Sequence, residues 1–228
     1  MNYSHHLVNP AAAAVNAIDM EARNKILPKL QQKIEAFEVS SVSEERKKIL
    51  APLIEYIAEK ATKKEVANIN FICTHNSRRS QFAQIWAQGI GQFYDIPVQA
   101  FSGGVEVTAF NENAVKAIKS AGFKIVAEGE ENPLYSVFYA EELTPVKMFS
   151  KKYDDKVNPQ KNFAAVMTCS HADETCPFIP GAEKRIAVKY EDPKEFDNTP
   201  EQDQKYRERS EQIAAEMKYV FSSISVKY

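Results

Sequence analysis

Cysteine is scarce in this chain: three residues in 228. So few thiols, and an odd number of them, exclude the disulfide framework of a small secreted protein and make a reducing compartment, the cytoplasm, the expectation. Long apolar runs are missing too. Nothing approaches the roughly 18–20 residues that cross a bilayer as a helix, so no membrane role is expected. The stretch Ala11 to Ala14 has no Lys or Arg before it and no long apolar core, and is not expected to act as a signal peptide. A surplus of one charge is also lacking. Lys and Arg number 29 against 31 Asp and Glu, and the formal charge of −2 argues against nucleic acid as the main partner. No internal repeat or low-complexity tract is present. What the chain does have is an ordinary apolar fraction of 44%, enough for one ample domain or one domain with an appendage.

Residues 1–64 read as a helical extension, and residues 65–228 as the main domain. Val15, Ile18, Ala22, Ile26, Leu30, Ile34 and Phe37 recur at helical spacing, with Pro28 expected to bend or interrupt the helix. Ser43 is a candidate N-cap for a second helix marked by Ile49, Leu50, Leu53, Ile54 and Ile57, with Pro52 near its start. The two form an N-terminal helical hairpin, a packing appendage that also offers a homodimer contact. From Val66 onward short apolar strands alternate with helices. Strands are expected over 66–73, 98–101, 163–168 and 185–188. Helices are expected over 80–94, over 111–121 with Gly122 as its stop, and over 199–222 with Thr199 and Pro200 as N-cap and N1. This alternation predicts an α/β fold, a parallel four-stranded sheet flanked by helices. Residues 127–160, rich in Glu, Lys, Tyr and Pro, fit no element and read as an insertion beside the site.

The chemistry concentrates in Phe71-Ile72-Cys73-Thr74-His75-Asn76-Ser77-Arg78-Arg79-Ser80. Strand–loop–helix order places Cys73 at the C-terminal end of a strand, where open α/β sheets bind ligands. The amides of Thr74, His75, Asn76, Ser77, Arg78 and Arg79 can curl around a tetrahedral anion. Orphan N–H groups and the helix dipole favour negative charge there, on the anion and on the sulfur alike. Arg79 can grip two oxyanion oxygens with its planar fork. Ser80 can donate to the thiolate, and Asn76 tolerates the left-handed backbone of a tight loop. His75 crowds the loop mouth or adds positive charge. Arg78 either adds charge near the site or faces solvent, and the second reading is preferred. Asp192, in Glu191-Asp192-Pro193, is a candidate general acid for a leaving oxygen. A nucleophile with two further thiols, Cys169 and Cys176, suggests a redox reaction on an oxyanion rather than simple hydrolysis. No metal-ligand spacing links His5, His6 or His171 to one another or to the cysteines, so no metal is expected.

With these residues in place, the loop from Cys73 to Ser80, the Ser102-Gly103-Gly104-Val105-Glu106 strand end and Asn113-Ala114-Val115-Lys116-Ala117 resemble the low-molecular-weight protein tyrosine phosphatase superfamily. The segment from Thr168 to Pro177, with its Cys-x6-Cys-Pro pattern, is similar to the redox segment of thioredoxin-coupled arsenate reductases. The resemblance covers about residues 66–222. It implies that Cys73 attacks arsenate held by the loop and Arg79, and that Asp192 protonates the departing oxygen. It further implies that Cys169 attacks Cys73 to release arsenite, that Cys176 takes over the disulfide, and that thioredoxin reduces it. Two positions depart from the family pattern, His75 for Gly and Arg78 for Cys. The resemblance also raises a potassium ion near the loop, for which Asn76 and Ser102 match part of the site. A phosphatase of the same superfamily, hydrolysing phosphate monoesters through Cys73, is the alternative activity. A non-enzymatic oxyanion or redox sensor is a third.

Overall fold

The computed structural model describes residues 26–176 and 178–224. The part of the first expected helix marked by Val15, Ile18 and Ala22 lies outside the described residues. Helix α1, Pro28–Ala36, starts at Pro28 instead of bending there. Proline has no N–H to give, and the first turn of a helix needs none. Helix α2, Glu44–Thr62, is capped by Ser43, whose hydroxyl accepts the Arg46 N–H at 3.2 Å, and carries Pro52 in its interior rather than near its start.

The central sheet joins β1 (Ala67–Cys73), β2 (Val98–Gly104), β6 (Phe163–Met167) and β7 (Ala182–Ala187) in the order β2-β1-β6-β7. Every pairing in it is parallel. Helix α3 (Arg79–Phe93) connects β1 to β2, α4 (Glu112–Ala121) follows β2, and the short α5 (Ser170–Thr175) follows β6. The terminal helix α6, Gln202–Ser222, packs on α3 and α4. It begins two residues later than Thr199 as N-cap and Pro200 as N1 would place it. The Thr199 hydroxyl donates to the Phe196 carbonyl at 2.8 Å and so closes a turn instead of capping a helix.

Residues 127–160 are not an unstructured insertion. They contribute to a second, antiparallel sheet of β3 (Lys124–Glu128), β4 (Leu134–Phe138) and β5 (Val146–Met148), followed by a strap over 149–160. Four of the five β3 residues are exposed, so the strand shows no apolar alternation to read.

Two apolar clusters lie on the two faces of the main sheet. The larger unites Leu30, Ile34, Leu50, Leu53 and Ile57 of the N-terminal helices with Phe71, Trp86 and Phe221. Trp86 stands edge-on to Phe37 and Phe123 and donates its indole N–H to Ser210 Oγ at 2.9 Å. The smaller cluster is built on Ile72, Phe163, Ala165 and Met167, and it holds all three cysteines.

A polar tie binds α2 to α6 beneath the site. Arg46 forks onto Glu216 at 2.9 and 2.7 Å, and the fully buried Tyr190 donates its hydroxyl to the same carboxylate at 2.8 Å. Breaking a buried ion pair by removing one partner costs roughly 3–5 kcal/mol, because the other charge stays buried and uncompensated. The Glu216 side chain is 4% exposed and the Arg46 side chain 21%. Arg46→Ala is therefore expected to lower stability by about 3 kcal/mol, read from the urea midpoint at an unchanged m-value. The double variant Arg46→Met with Glu216→Leu should recover most of that loss. A single variant as stable as the parent would show the tie to be energetically idle.

Candidate active site

Strand β1 ends at Cys73 and α3 starts at Arg79, so the five residues between them must turn the chain back within a few ångströms. Asn76 makes this turn in the left-handed region, at φ 47°. Its backbone N–H donates to Cys73 Sγ at 3.2 Å, and its side-chain amide donates to Ser80 Oγ at 2.9 Å. With that acceptor position filled, the Ser80 hydroxyl proton is free to point at Cys73 Sγ, 3.0 Å away. Two donors therefore converge on the sulfur, which suits a thiolate. Beside the loop, Gly104 has no room for a side chain: a Cβ there would lie 2.8 Å from both Asn76 N and Thr74 O.

Arg78 does not face solvent. It is 7% exposed, and its fork reaches Asp192, Nε to Oδ1 at 2.7 Å and Nη2 to Oδ2 at 3.1 Å. Arg79 also reaches Asp192 Oδ2, at 2.9 Å, and donates to the Tyr190 carbonyl at 3.0 Å. Burial alone would raise the Asp192 carboxyl. The Arg78 fork, the Arg79 charge and the Lys194 N–H outweigh it and hold the group below the usual carboxylate range. The side chain expected to face water thus anchors the candidate acid.

The other thiols lie on the opposite side of the loop. Thr74 Oγ1 is 3.4 Å from Cys169 Sγ and 3.3 Å from His171 Nδ1. Cys169 caps α5, its sulfur accepting the Ala172 N–H at 3.4 Å, while Cys176 stands at the far end of the same helix. Arg185 fastens that helix to β7 through the Cys176 carbonyl at 3.0 Å and the Asp173 carboxylate at 2.7 Å. All three cysteines are free and buried. The His75 ring turns to Glu106 at 3.3 Å. Ser77 donates to the Ala109 carbonyl at 2.6 Å.

The strap supplies residues that sequence reading missed. Lys151 N–H donates to Asn76 Oδ1 at 3.0 Å and Gln81 bridges the Asn76 and Phe149 carbonyls at 2.9 and 3.0 Å. The one available signal was the row of Gln81, Gln84 and Gln88 on one side of a helix whose other faces are apolar. Asn76 Oδ1 is thus engaged by Lys151, and Ser102 Oγ donates to Gln84 Oε1 at 2.6 Å. As these side chains stand, Asn76 and Ser102 do not make a potassium site. The residue that closes on Asn76 carries an ammonium of its own, and no step below uses a cation.

The fold and the site define an α/β protein with a tight cysteine-centred loop between β1 and α3. No protein-family model matches the chain. An arsenate reductase of Halalkalibacterium halodurans is 30% identical over 138 residues, which is 59% of this chain and 79% of that protein. One from Bacillus licheniformis matches to the same extent, 30% over 138 residues, again 79% of its length. Among solved structures, a low-molecular-weight phosphotyrosine phosphatase from Vibrio cholerae O395 aligns over 69% of this chain and 95% of its own, at 13% identity and a TM-score of 0.48. A thioredoxin-dependent arsenate reductase of Corynebacterium glutamicum aligns over 93% and 96%, at 17% identity and a TM-score of 0.43. On its sequence relatives, the chain belongs to the arsenate reductase family.

Lys151 gives the site a pH signature. Its Nζ is buried without a hydrogen-bond partner, 4.8 Å from the Phe149 ring centre, and burial pushes the amine down to about 8. A base whose folded value lies below its unfolded one destabilises the fold wherever it is charged. The unfolded chain binds more protons between about pH 8 and 10.5, so stability rises with pH across that window and the full penalty applies below it. Lys151→Met is expected to stabilise the protein at pH 7, by up to on the order of 3 kcal/mol, and to flatten the rise toward pH 10. Denaturant midpoints at pH 7 and 9.5 test this. A Met variant weaker than the parent at both pH values would show that the ammonium is compensated.

Proposed function

We propose that this chain reduces arsenate to arsenite through Cys73, Cys169 and Cys176, and that thioredoxin returns it to the dithiol state. The observation that carries this reading is the gathering of the only three cysteines into one buried cluster at the C-terminal edge of the sheet, with Thr74 of the oxyanion loop in contact with Cys169. A hydrolase needs the first thiol only. The names of the sequence relatives point the same way.

The oxyanion sits on the loop amides, with Arg79 turning from Asp192 to its oxygens. The Cys73 thiolate attacks arsenic, an S–As bond forms, and one As–O bond breaks. Asp192 passes a proton to the departing arsenate hydroxyl, which leaves as water. The Cys169 thiolate then attacks Cys73 Sγ. An S–S bond forms, the S–As electron pair stays with arsenic, and arsenite departs as As(III). The Cys176 thiolate displaces Cys73 from Cys169, and a dithiol reductant supplies two electrons to the Cys169–Cys176 disulfide.

The last exchange requires a conformational change. Seven steps along a helix at about 1.5 Å each separate Cys169 from Cys176 by about 10 Å, whereas a disulfide needs Cα atoms within about 7 Å. Helix α5 must therefore unwind, and unwinding carries Cys176 outward to the reductant. The six residues of α5 hold few internal bonds to break. Phosphate-ester hydrolysis is the second reading, favoured by the convergence of Arg79 and Asp192, because it needs only those two and Cys73.

Three serine variants separate these steps. Cys73→Ser should abolish arsenate reduction and ester hydrolysis together, since a serine hydroxyl is far less acidic than a thiol. Cys169→Ser should stop with arsenic on Cys73. Cys176→Ser should release one arsenite and accumulate a Cys73–Cys169 disulfide. Mass spectrometry after one arsenate challenge reads these species, beside an assay of arsenite production with thioredoxin, thioredoxin reductase and NADPH. Unimpaired coupled turnover in both relay variants would sink the relay. A parent that hydrolyses esters and reduces no arsenate would leave the phosphatase reading standing.

A further inference from the structure

Asp192 is held by three donated hydrogen bonds and a second guanidinium charge. An ionised carboxylate offers about four lone-pair sites. Oδ1 accepts from Arg78 Nε at 2.7 Å and from the Lys194 N–H at 3.2 Å. Oδ2 accepts from Arg78 Nη2 at 3.1 Å and is ion-paired with Arg79 Nη2 at 2.9 Å. A proton on the remaining Oδ2 site would face the Arg79 guanidinium. When an oxyanion draws Arg79 away, one site on Oδ2 opens, and Arg78 and Lys194 keep the other three. The loop position that carries Arg78 therefore governs what Asp192 can do.

We propose that Arg78 is a positioning residue that makes Asp192 a relay for a proton brought by the substrate, not a store of its own, and so tunes the site to free oxyanions over esters with poor leaving groups. This rests on the assignment of Cys73 and Asp192 made above. A free oxyanion monoanion carries two hydroxyls. Its proton inventory balances within the site: one hydroxyl passes its proton to the vacated Oδ2, Oδ2 returns it to the second hydroxyl, and that oxygen leaves as water while Cys73 takes its place. Asp192 ends as it began. An ester dianion has no hydroxyl to give, and phosphate esters have lost their second proton by about pH 6. Its leaving oxygen must depart unprotonated, which only an acidic phenol does readily.

The other charges near Asp192 do not supply the missing proton. From α6, Tyr206 lies within electrostatic reach, and Lys205, Glu208 and Arg209 line the adjoining cavity of about 340 Å³. From its own segment come Glu191 and Glu195. From the loop, Cys73 lies within electrostatic reach of Arg78. The Tyr206 hydroxyl already donates to Asp197 Oδ1 at 2.7 Å, and its acidity is pushed down by burial and that bond.

The test compares the parent with Arg78→Gln, Asp192→Asn and the double variant. The substrates are arsenate, p-nitrophenyl phosphate and phenyl phosphate, each followed from pH 5 to 8.5. In the parent, phenyl phosphate should turn over at least 100-fold more slowly than p-nitrophenyl phosphate, since one general-acid contribution is worth about 10²–10⁴. Arg78→Gln frees Asp192 to hold a proton. It should narrow that gap at least tenfold, move the basic limb of ester hydrolysis to higher pH, and raise the ester-to-arsenate ratio. In the Asp192→Asn background Arg78→Gln should change none of these. An Arg78→Gln profile that overlays the parent overturns the proposal, as does a narrowed gap in the double variant. Should Arg78→Gln not fold, Arg78→Lys keeps the charge with a single contact and should give the same changes at smaller size. The carboxyl carbon shift of Asp192 in the parent gives an independent reading, expected to be that of a carboxylate throughout pH 5 to 8. A protonated signal at pH 6 overturns the proposal. The ester readouts stand even if the parent reduces no arsenate, so the two readings fail separately.

Discussion

Asn76 is the residue on which the site depends. Each of its four polar groups is used, one toward the end of β1, two toward α3 and one toward the strap. The N–H holds the nucleophile, the side-chain amide holds Ser80 on α3, the side-chain oxygen takes the strap at Lys151, and the carbonyl takes Gln81. The left-handed backbone that permits this is uncommon for any residue with a side chain, and asparagine tolerates it better than most. Once the turn is set there, the Asn76 N–H points back at the sulfur that ends β1. The strap is then fixed from both sides, because the Gly104 N–H donates to the Lys151 carbonyl and the Tyr153 N–H to the Gly104 carbonyl.

A second chain of contacts reaches the site from the N-terminal helices. Arg46 of α2 pairs with Glu216 of α6, Glu216 receives the Tyr190 hydroxyl, and the Tyr190 carbonyl receives Arg79. The backbone carbonyl that receives the Arg79 guanidinium therefore belongs to a residue whose side chain is anchored by a helix far earlier in the sequence. The apolar stripes of α1 and α2 join the same cluster as Trp86. The segment that carries no chemistry of its own thus touches the backbone that holds Arg79.

Much of this was legible before any coordinates. The Cys73 loop announced itself because three signals coincided in ten residues: a buried apolar run, a residue suited to left-handed backbone, and Arg79-Ser80 opening a helix. The parallel sheet followed from four apolar runs separated by helical periods. What stayed hidden was hidden for physical reasons. Strand β3 has an outward face and little inward one, so its alternation is lost among charges. Pro28 marks a helix start, yet the stripe running through it looked continuous because apolar residues precede it. Arg78 looked like a solvent-facing charge because nothing local reveals a carboxylate 114 residues away. Lys151 is harder still, since a lysine buried without a partner contradicts the rule by which burial is read from composition.

The same geometry explains why thiol exchange and oxyanion chemistry can share one site without interfering. The two functions approach the loop from opposite ends. Arg78, Arg79 and Asp192 gather at the start of α3, where charge must be managed, while Thr74 faces Cys169 at the first turn of the loop, where sulfur must be passed. The nucleophile lies between them, at the strand end from which the loop departs. On the proposed reading an attacking thiolate comes from the Thr74 side while the oxyanion is held from the Arg79 side, and collapse of the S–As bond needs no rearrangement of the charged residues. The motion that reading requires falls on α5, where the Arg185 guanidinium holds both Asp173 and the Cys176 carbonyl to β7. Because those contacts lie on the rim of the sheet and not in its core, the helix can open while β6 and the loop stay in register.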